Sequence, residues 1–153
     1  MDDITIRPAR PEDAERLAEL HEEAIRAVNS QDYTAEEIAA WTDGTLEQYR
    51  TFPDDAERIV AVREDRIIGF GEIEGDEITA VYVDPGHMGD GVGSALLERL
   101  ESIARENGVE RLHAESTISA RGFYEAHGYD FVEETTHTFG DQVLDVYLME
   151  KDL

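Results

Sequence analysis

The sequence predicts an α+β fold in which a mixed, mostly antiparallel sheet of about seven strands is flanked by four helices. Three observations carry that prediction. Apolar residues switch repeatedly between alternating and helical spacing, three strand-like runs joined by tight turns lie between Arg58 and Val83, and a glycine-rich stretch leads from the last of them into a strongly amphipathic segment.

Ile4 and Ile6 alternate with polar neighbours as in a short strand, and beyond Pro8 and Pro11 the positions Leu17, Leu20, Ala24 and Val28 repeat at helical spacing. Thr34 followed by Glu37 makes a capping box for a second helix that carries Ile38 and Trp41 and fades near Asp43-Gly44, before a loop at Pro53-Asp54-Asp55. Ile59 to Val62, Ile67 to Ile73 and Ile78 to Val83 read as an antiparallel meander with turns at Glu64-Asp65 and Gly75-Asp76. Leu96, Leu97, Leu100, Ile103 and Ala104 mark one face of a helix that stops at Asn107-Gly108. A strand over Arg111 to Glu115, a helix capped by Ser119 and ending at His127-Gly128, and two strands (Asp130 to Thr138 and Val143 to Met149) joined across Gly140-Asp141 complete the order. The chain has 153 residues and no repeat or linker, so one domain over residues 1–153 is expected.

The charge balance is extreme, 37 Asp plus Glu against 13 Lys plus Arg for a formal net charge of −24. Such a surface repels phosphate backbones and anionic lipids, which argues against nucleic acid and membranes as partners. Disorder is the other consequence of high charge, but 41% hydrophobic residues in periodic blocks oppose it. Lys151 is the sole lysine, and this acid-rich, lysine-poor balance resembles halophilic cytosolic proteins of salt-accumulating microbes. The absence of cysteine excludes disulfides, thiolate metal sites and cysteine nucleophiles. No apolar run approaches the ~20 residues that span a bilayer, and Met1-Asp2-Asp3-Ile4 lacks the basic start of a signal peptide, so a cytoplasmic location is expected.

The most informative stretch runs from Val81 through Tyr82, Val83, Asp84 and Pro85 to Met88, Gly89, Asp90, Gly91, Val92, Gly93 and Ser94. A strand enters a loop with alternate glycines that opens directly into a helix, so several backbone N–H groups converge where the helix dipole is positive. This is the arrangement of a pyrophosphate cradle, and it holds an anion without any basic side chain. A P-loop reading fails because Gly93 is followed by Ser94-Ala95 with no lysine near, and a dinucleotide fingerprint fails because Leu96 takes the third glycine's place. A glycine turn with no ligand stays open.

The segment resembles the acetyl-CoA motif of GNAT acetyltransferases, Q/R-x-x-G-x-G/A, with Gly91 and Gly93 on its glycines. Ala120 to Tyr129, with Phe123-Tyr124 and Gly128-Tyr129, is similar to the family's A-x-x-F-Y-x-x-x-G-F/Y helix. The segments around Tyr33 to Trp41 and Tyr147 to Lys151 further resemble the YafP-like branch. Two departures stand out: Met88 replaces the usual Gln or Arg, and Thr117 stands where many members have Asn.

The resemblance implies an N-acetyltransferase that moves the acetyl group of acetyl-CoA to a primary amine in a ternary complex; a noncatalytic acyl-CoA-binding module of the same fold is the alternative. It places the pantetheine arm against Val81, Tyr82 and Val83 and the pyrophosphate on the loop from Met88 to Ser94, with Thr117 as a further cofactor-binding residue. Tyr124 is the implied acid for the leaving thiolate, since a phenol's pKa of about 10 is close to that of an alkyl thiol; packing is its other reading. Glu77 is the implied base, with Glu72 or a water chain as alternatives, and Tyr33 and Trp41 fall on helices that cover the acceptor cleft. The acceptor is a small-molecule or peptide amine, and monomer and homodimer both remain open. His87, His113, His127 and His137 lack metal-site spacing and no G-x-S-x-G elbow occurs, so neither a metal nor a serine nucleophile is expected.

Overall fold

The computed structural model describes residues 3–29, 31–139 and 141–153, without the side chains of Val28, Asn29 and Phe139. Seven strands form one open sheet: β1 (Thr5–Pro8), β2 (Ala56–Arg63), β3 (Arg66–Glu74), β4 (Glu77–Val83), β5 (Arg111–Ser116), β6 (Asp130–Phe139) and β7 (Gln142–Asp152), in the spatial order β1-β2-β3-β4-β5-β7-β6. Every neighbouring pair is antiparallel except β4 with β5, which are parallel. The mixed, mostly antiparallel α+β architecture expected from the periodicities is therefore the one observed.

Period-2 burial assigns the two faces. Ile59, Ala61, Ile68, Ile73, Ile78, Leu112 and Ala114 pack beneath α4 (Val92–Glu106) and α5 (Arg121–Ala126), while Val60, Ile67, Phe70, Ala80 and Tyr82 pack beneath α1 (Ala14–Ala24) and α3 (Thr45–Arg50). α2 (Ala35–Thr42) covers Leu144 of β7 with Ile38 and Trp41. α4 forms because Leu96, Leu97, Leu100 and Ala104 recur on one side, all fully buried. It lies close to the sheet: a Cβ on Gly71 would sit 2.9 Å from Leu100 Cδ1, so a larger residue there would require the end of the Leu100 side chain to move. The sole lysine contributes to this layer, since Lys151 Nζ and the Tyr129 hydroxyl both donate to the buried carboxylate of Glu101, each at 2.9 Å.

Three details depart from the sequence reading. A fifth helix, α3, follows Gly44, whose φ of +71° lets it cap the turn. Six residues are too few for a helical period to register, and α3 is held by tertiary contacts: Tyr49 is buried against Phe70, and Arg58 donates to the carbonyls of Gln48 and Tyr49. Ser119 does not cap α5; the N-cap is Ala120, which makes no side-chain cap bond. α1 does not run on as α-helix through Val28 but widens into a π-helical turn over Ile25–Asn29. The capping box at Thr34 and Glu37 is present as expected. The Gly140-Asp141 turn includes a residue outside those described.

Candidate active site

The site begins with a fault in the sheet. β4 and β5 pair only through Glu77 with His113 and Ile78 with Ala114, although both strands continue beyond that point. Against β3, Ile78 pairs with Ile73 and Ala80 with Glu72, so Thr79 is the extra residue of a β-bulge. A bulge bends and twists its strand, and this one turns β4 away from β5 at the last shared pair. Asp84 N–H donates back to Ile68 of β3, and because backbone groups alternate sides along a strand, those of Val81 and Val83 face the opening. Unpaired strand groups of this kind are costly unless water or a ligand meets them.

The opening is a cleft of about 480 Å³. Val81, Tyr82 and Val83 form one wall, Glu115 to Thr117 with Ser119 the other, and Phe123 and Tyr124 of α5 the back. Its upper rim is the glycine loop, with Met88, Gly89, Gly91, Val92, Gly93 and Ser94 all lining it. Gly89 and Gly91 have φ of +85° and +84°, a region costly for other residues, and open space surrounds the Cβ position of each. α4 starts at this rim with Gly91 as N-cap, no side-chain cap and no acid in its first turn, so its first N–H groups are left for a ligand. Gly93 serves another purpose, because a Cβ there would stand 3.2 Å from Phe123. Asp84 braces the loop: one oxygen accepts from Gly86 N–H at 2.9 Å and the other from Arg16 at 2.9 Å. Burial works against its charge, but those two partners outweigh it and its pKa is lowered.

Tyr124 has a buried ring stacked edge-on against Phe123 and Tyr129, while its hydroxyl makes no hydrogen bond among the described residues and faces the cleft. Burial, and secondarily Tyr82, raise its pKa well above the ordinary value. Tyr82 is raised by burial too, although the Trp41 indole donates to its hydroxyl. The remaining sequence candidates surround the cleft without lining it. Asp90 points away to Arg63 at 3.2 Å. Glu77 lies where the strands are still paired, 3.9 Å from His113 Nε2. Both oxygens of Glu72 are occupied, one by Arg58 and one by the Thr79 hydroxyl at 2.6 Å. Tyr33 donates to the Asp145 carbonyl at 2.7 Å, accepts from Ile118 N–H and packs edge-on against Trp41, forming a support behind the wall.

Two features escaped the sequence reading. His127 bonds the Phe123 carbonyl through Nδ1 at 2.9 Å, so that nitrogen carries a hydrogen, and its Nε2 shares a 3.0 Å hydrogen bond with the Ser94 hydroxyl. Glu115 lines the cleft, with His137 Nδ1 3.3 Å from its Oε2. These pairs join residues 33 and 22 positions apart, separations that no local pattern reveals. Among the 21 residues lining the cleft Glu115 is the sole acid and there is no Lys or Arg, although a third of the chain is charged.

Comparison with known proteins agrees with this geometry. Residues 29–152 match the family model described as an acetyltransferase (GNAT) domain. The chain is 28% identical over 134 residues to the uncharacterized N-acetyltransferase YafP of Escherichia coli K12, covering 88% of this chain and 86% of YafP. It is 31% identical over 127 residues to the peptidyl-lysine N-acetyltransferase YjaB of the same organism, covering 82% of each. A crystal structure of a GCN5-related N-acetyltransferase from Rhodopseudomonas palustris superposes with a TM-score of 0.94 at 26% identity, over 100% of this chain and 98% of that one. The splayed strands, the glycine rim and the family match together identify the chain as a member of the GNAT acetyltransferase family.

Proposed function

We propose that the protein transfers the acetyl group of acetyl-CoA directly to a primary amine while both are bound. The opening between β4 and β5 is the observation that carries the reading: it offers backbone partners for a pantetheine arm at Val81 and Val83, and it ends in a helix N-terminus suited to a pyrophosphate. Met88 is 54% exposed on that rim and supplies no charge, so the cradle works through backbone alone.

In the reaction the amine gives up a proton, and its nitrogen lone pair attacks the thioester carbonyl, forming the C–N bond. The negative oxygen is stabilised by the backbone N–H of Val81. The tetrahedral species collapses with cleavage of the C–S bond, Tyr124 protonates the departing thiolate, and the phenolate regains a proton from the amide nitrogen. The raised pKa keeps Tyr124 fully protonated at neutral pH, at some cost in driving force for the transfer. YjaB is named for a peptidyl lysine, which supports lysine as the first acceptor to try. The acidic exterior fits a salt-rich cytosol, where molar salt reduces the range of charge repulsion to about 3 Å.

The test is release of free thiol from acetyl-CoA with a panel of amines: a blocked peptide with one lysine, a peptide with a free N-terminus, and spermidine. Enzyme-dependent release with at least one of them is expected, and Tyr124→Phe is expected to lower it by about 10²-fold. Binding of acetyl-CoA without release for any acceptor would favour a noncatalytic module.

A further inference from the structure

We infer that Glu115 is the group that receives the protonated acceptor amine and takes its proton, with His137 as its positioning residue. The inference rests on the acetyl-transfer reading and deepens it.

The charge layout of the cleft carries the assignment. One end presents N–H groups and no acid in the first helical turn, as an anion requires, and the facing wall presents one carboxylate. Leu112 and Ala114 are buried under α4, so the alternation of β5 turns Glu115 to the opposite face, the one that also carries Leu144, Tyr33 and Trp41. With the glycine rim and the N-terminus of α4 holding CoA on the α4 side of the sheet, Glu115 stands on the opposite face, the side left for an acceptor. Its side chain is 31% exposed, reachable yet partly dehydrated, which strengthens its attraction for a cation. Neither of the other carboxylates considered is equally placed: Glu72 is committed to Arg58 and Thr79, and Glu77 lies at the closed end of the strands. His137 reaches Glu115 from β6 across β7, with Nδ1 3.4 Å from Oε1 and 3.3 Å from Oε2, and so restrains the carboxylate from the side of β5 away from the gap.

The proton balance is simple. Glu115 accepts one proton from R–NH3+, leaving the free amine to attack, and returns that proton to solvent after the acetylated product departs.

A neutral nucleophile separates this role from a structural one. With the best cationic acceptor of the panel, Glu115→Gln should lose about 10²-fold in kcat/KM, the scale of a lost general base. Enzyme-dependent acetylation of hydroxylamine, which is already unprotonated at neutral pH, should stay within a few-fold, and the acetyl-CoA Kd should not change. His137→Leu should raise KM for the cationic acceptor several-fold with the hydroxylamine rate and unfolding midpoint unmoved. Equal turnover of the cationic acceptor by parent and Glu115→Gln would overturn the inference while leaving acetyl transfer intact, as would parallel losses with both nucleophiles. A His137→Leu variant with unchanged KM would remove the positioning role. Absence of thiol release by the parent with every amine would overturn the acetyl-transfer reading and this inference together.

Discussion

Lys151 donates to Glu101 Oε2 at 2.9 Å, and the side chain of Glu101 is only 6% exposed. The chain's one lysine thus neutralises an acid that α4 carries into the core, joining the last strand to the helix whose first turn rims the active site. Lys151→Met should leave a buried carboxylate uncompensated and lower stability by about 3 kcal/mol in denaturant titrations. Pairing it with Glu101→Leu should recover most of the loss, and a fully additive double variant would mean that the two charges do not interact.

His21 gives the fold a built-in acid sensitivity. Burial lowers its pKa from 6.5 to about 4, and its Nδ1 shares a 2.6 Å hydrogen bond with the Tyr49 hydroxyl. The folded value lies below the unfolded one, so the unfolded chain binds the proton first. The stabilisation is therefore complete above pH 6.5 and is lost as pH falls toward 4, a change of about 3 kcal/mol. His21→Gln should be less stable at neutral pH but show a flatter dependence between those limits. An equally steep acid limb in both proteins would assign the loss to the carboxylates.

Salt should act on the whole surface. With a net charge of −24, the thermal midpoint is expected to rise steadily as KCl increases into the molar range. A midpoint indifferent to KCl would separate the acidic composition from any halophilic role.

Much of this molecule is legible in its sequence because its signals are local. The meander, the Thr34 capping box and the Leu96 to Ala104 stripe each lie within one window of chain, and the glycine rim was evident from residues 89 to 93 alone. Tyr124 followed from its place in a motif, and the cleft does contain it. What escaped depends on distant parts of the chain. Glu115 resembles any other acid in a chain with 37 of them, and only the splay at Ile78 and Ala114 sets it apart. Likewise, Glu72 is attractive in sequence, but Arg58 on the adjacent strand takes it as a partner. α3 was missed because Arg58 and Phe70, rather than its own six residues, hold it in place.

The central claim is that acetyl-CoA occupies the opening between β4 and β5, and amide NMR during an acetyl-CoA titration tests it most directly. The account predicts that the N–H resonances of Val81, Val83, Gly91, Gly93 and Ser94 shift together and that their hydrogen exchange slows. In Gly91→Val, where φ of +84° disfavours a β-branched residue, the same shifts should need at least ~30-fold more ligand, equivalent to ~2 kcal/mol. Shifts confined to another surface, such as the depression around Arg7, Arg16 and Arg66, with the Val81 and Val83 amides unmoved, would contradict it.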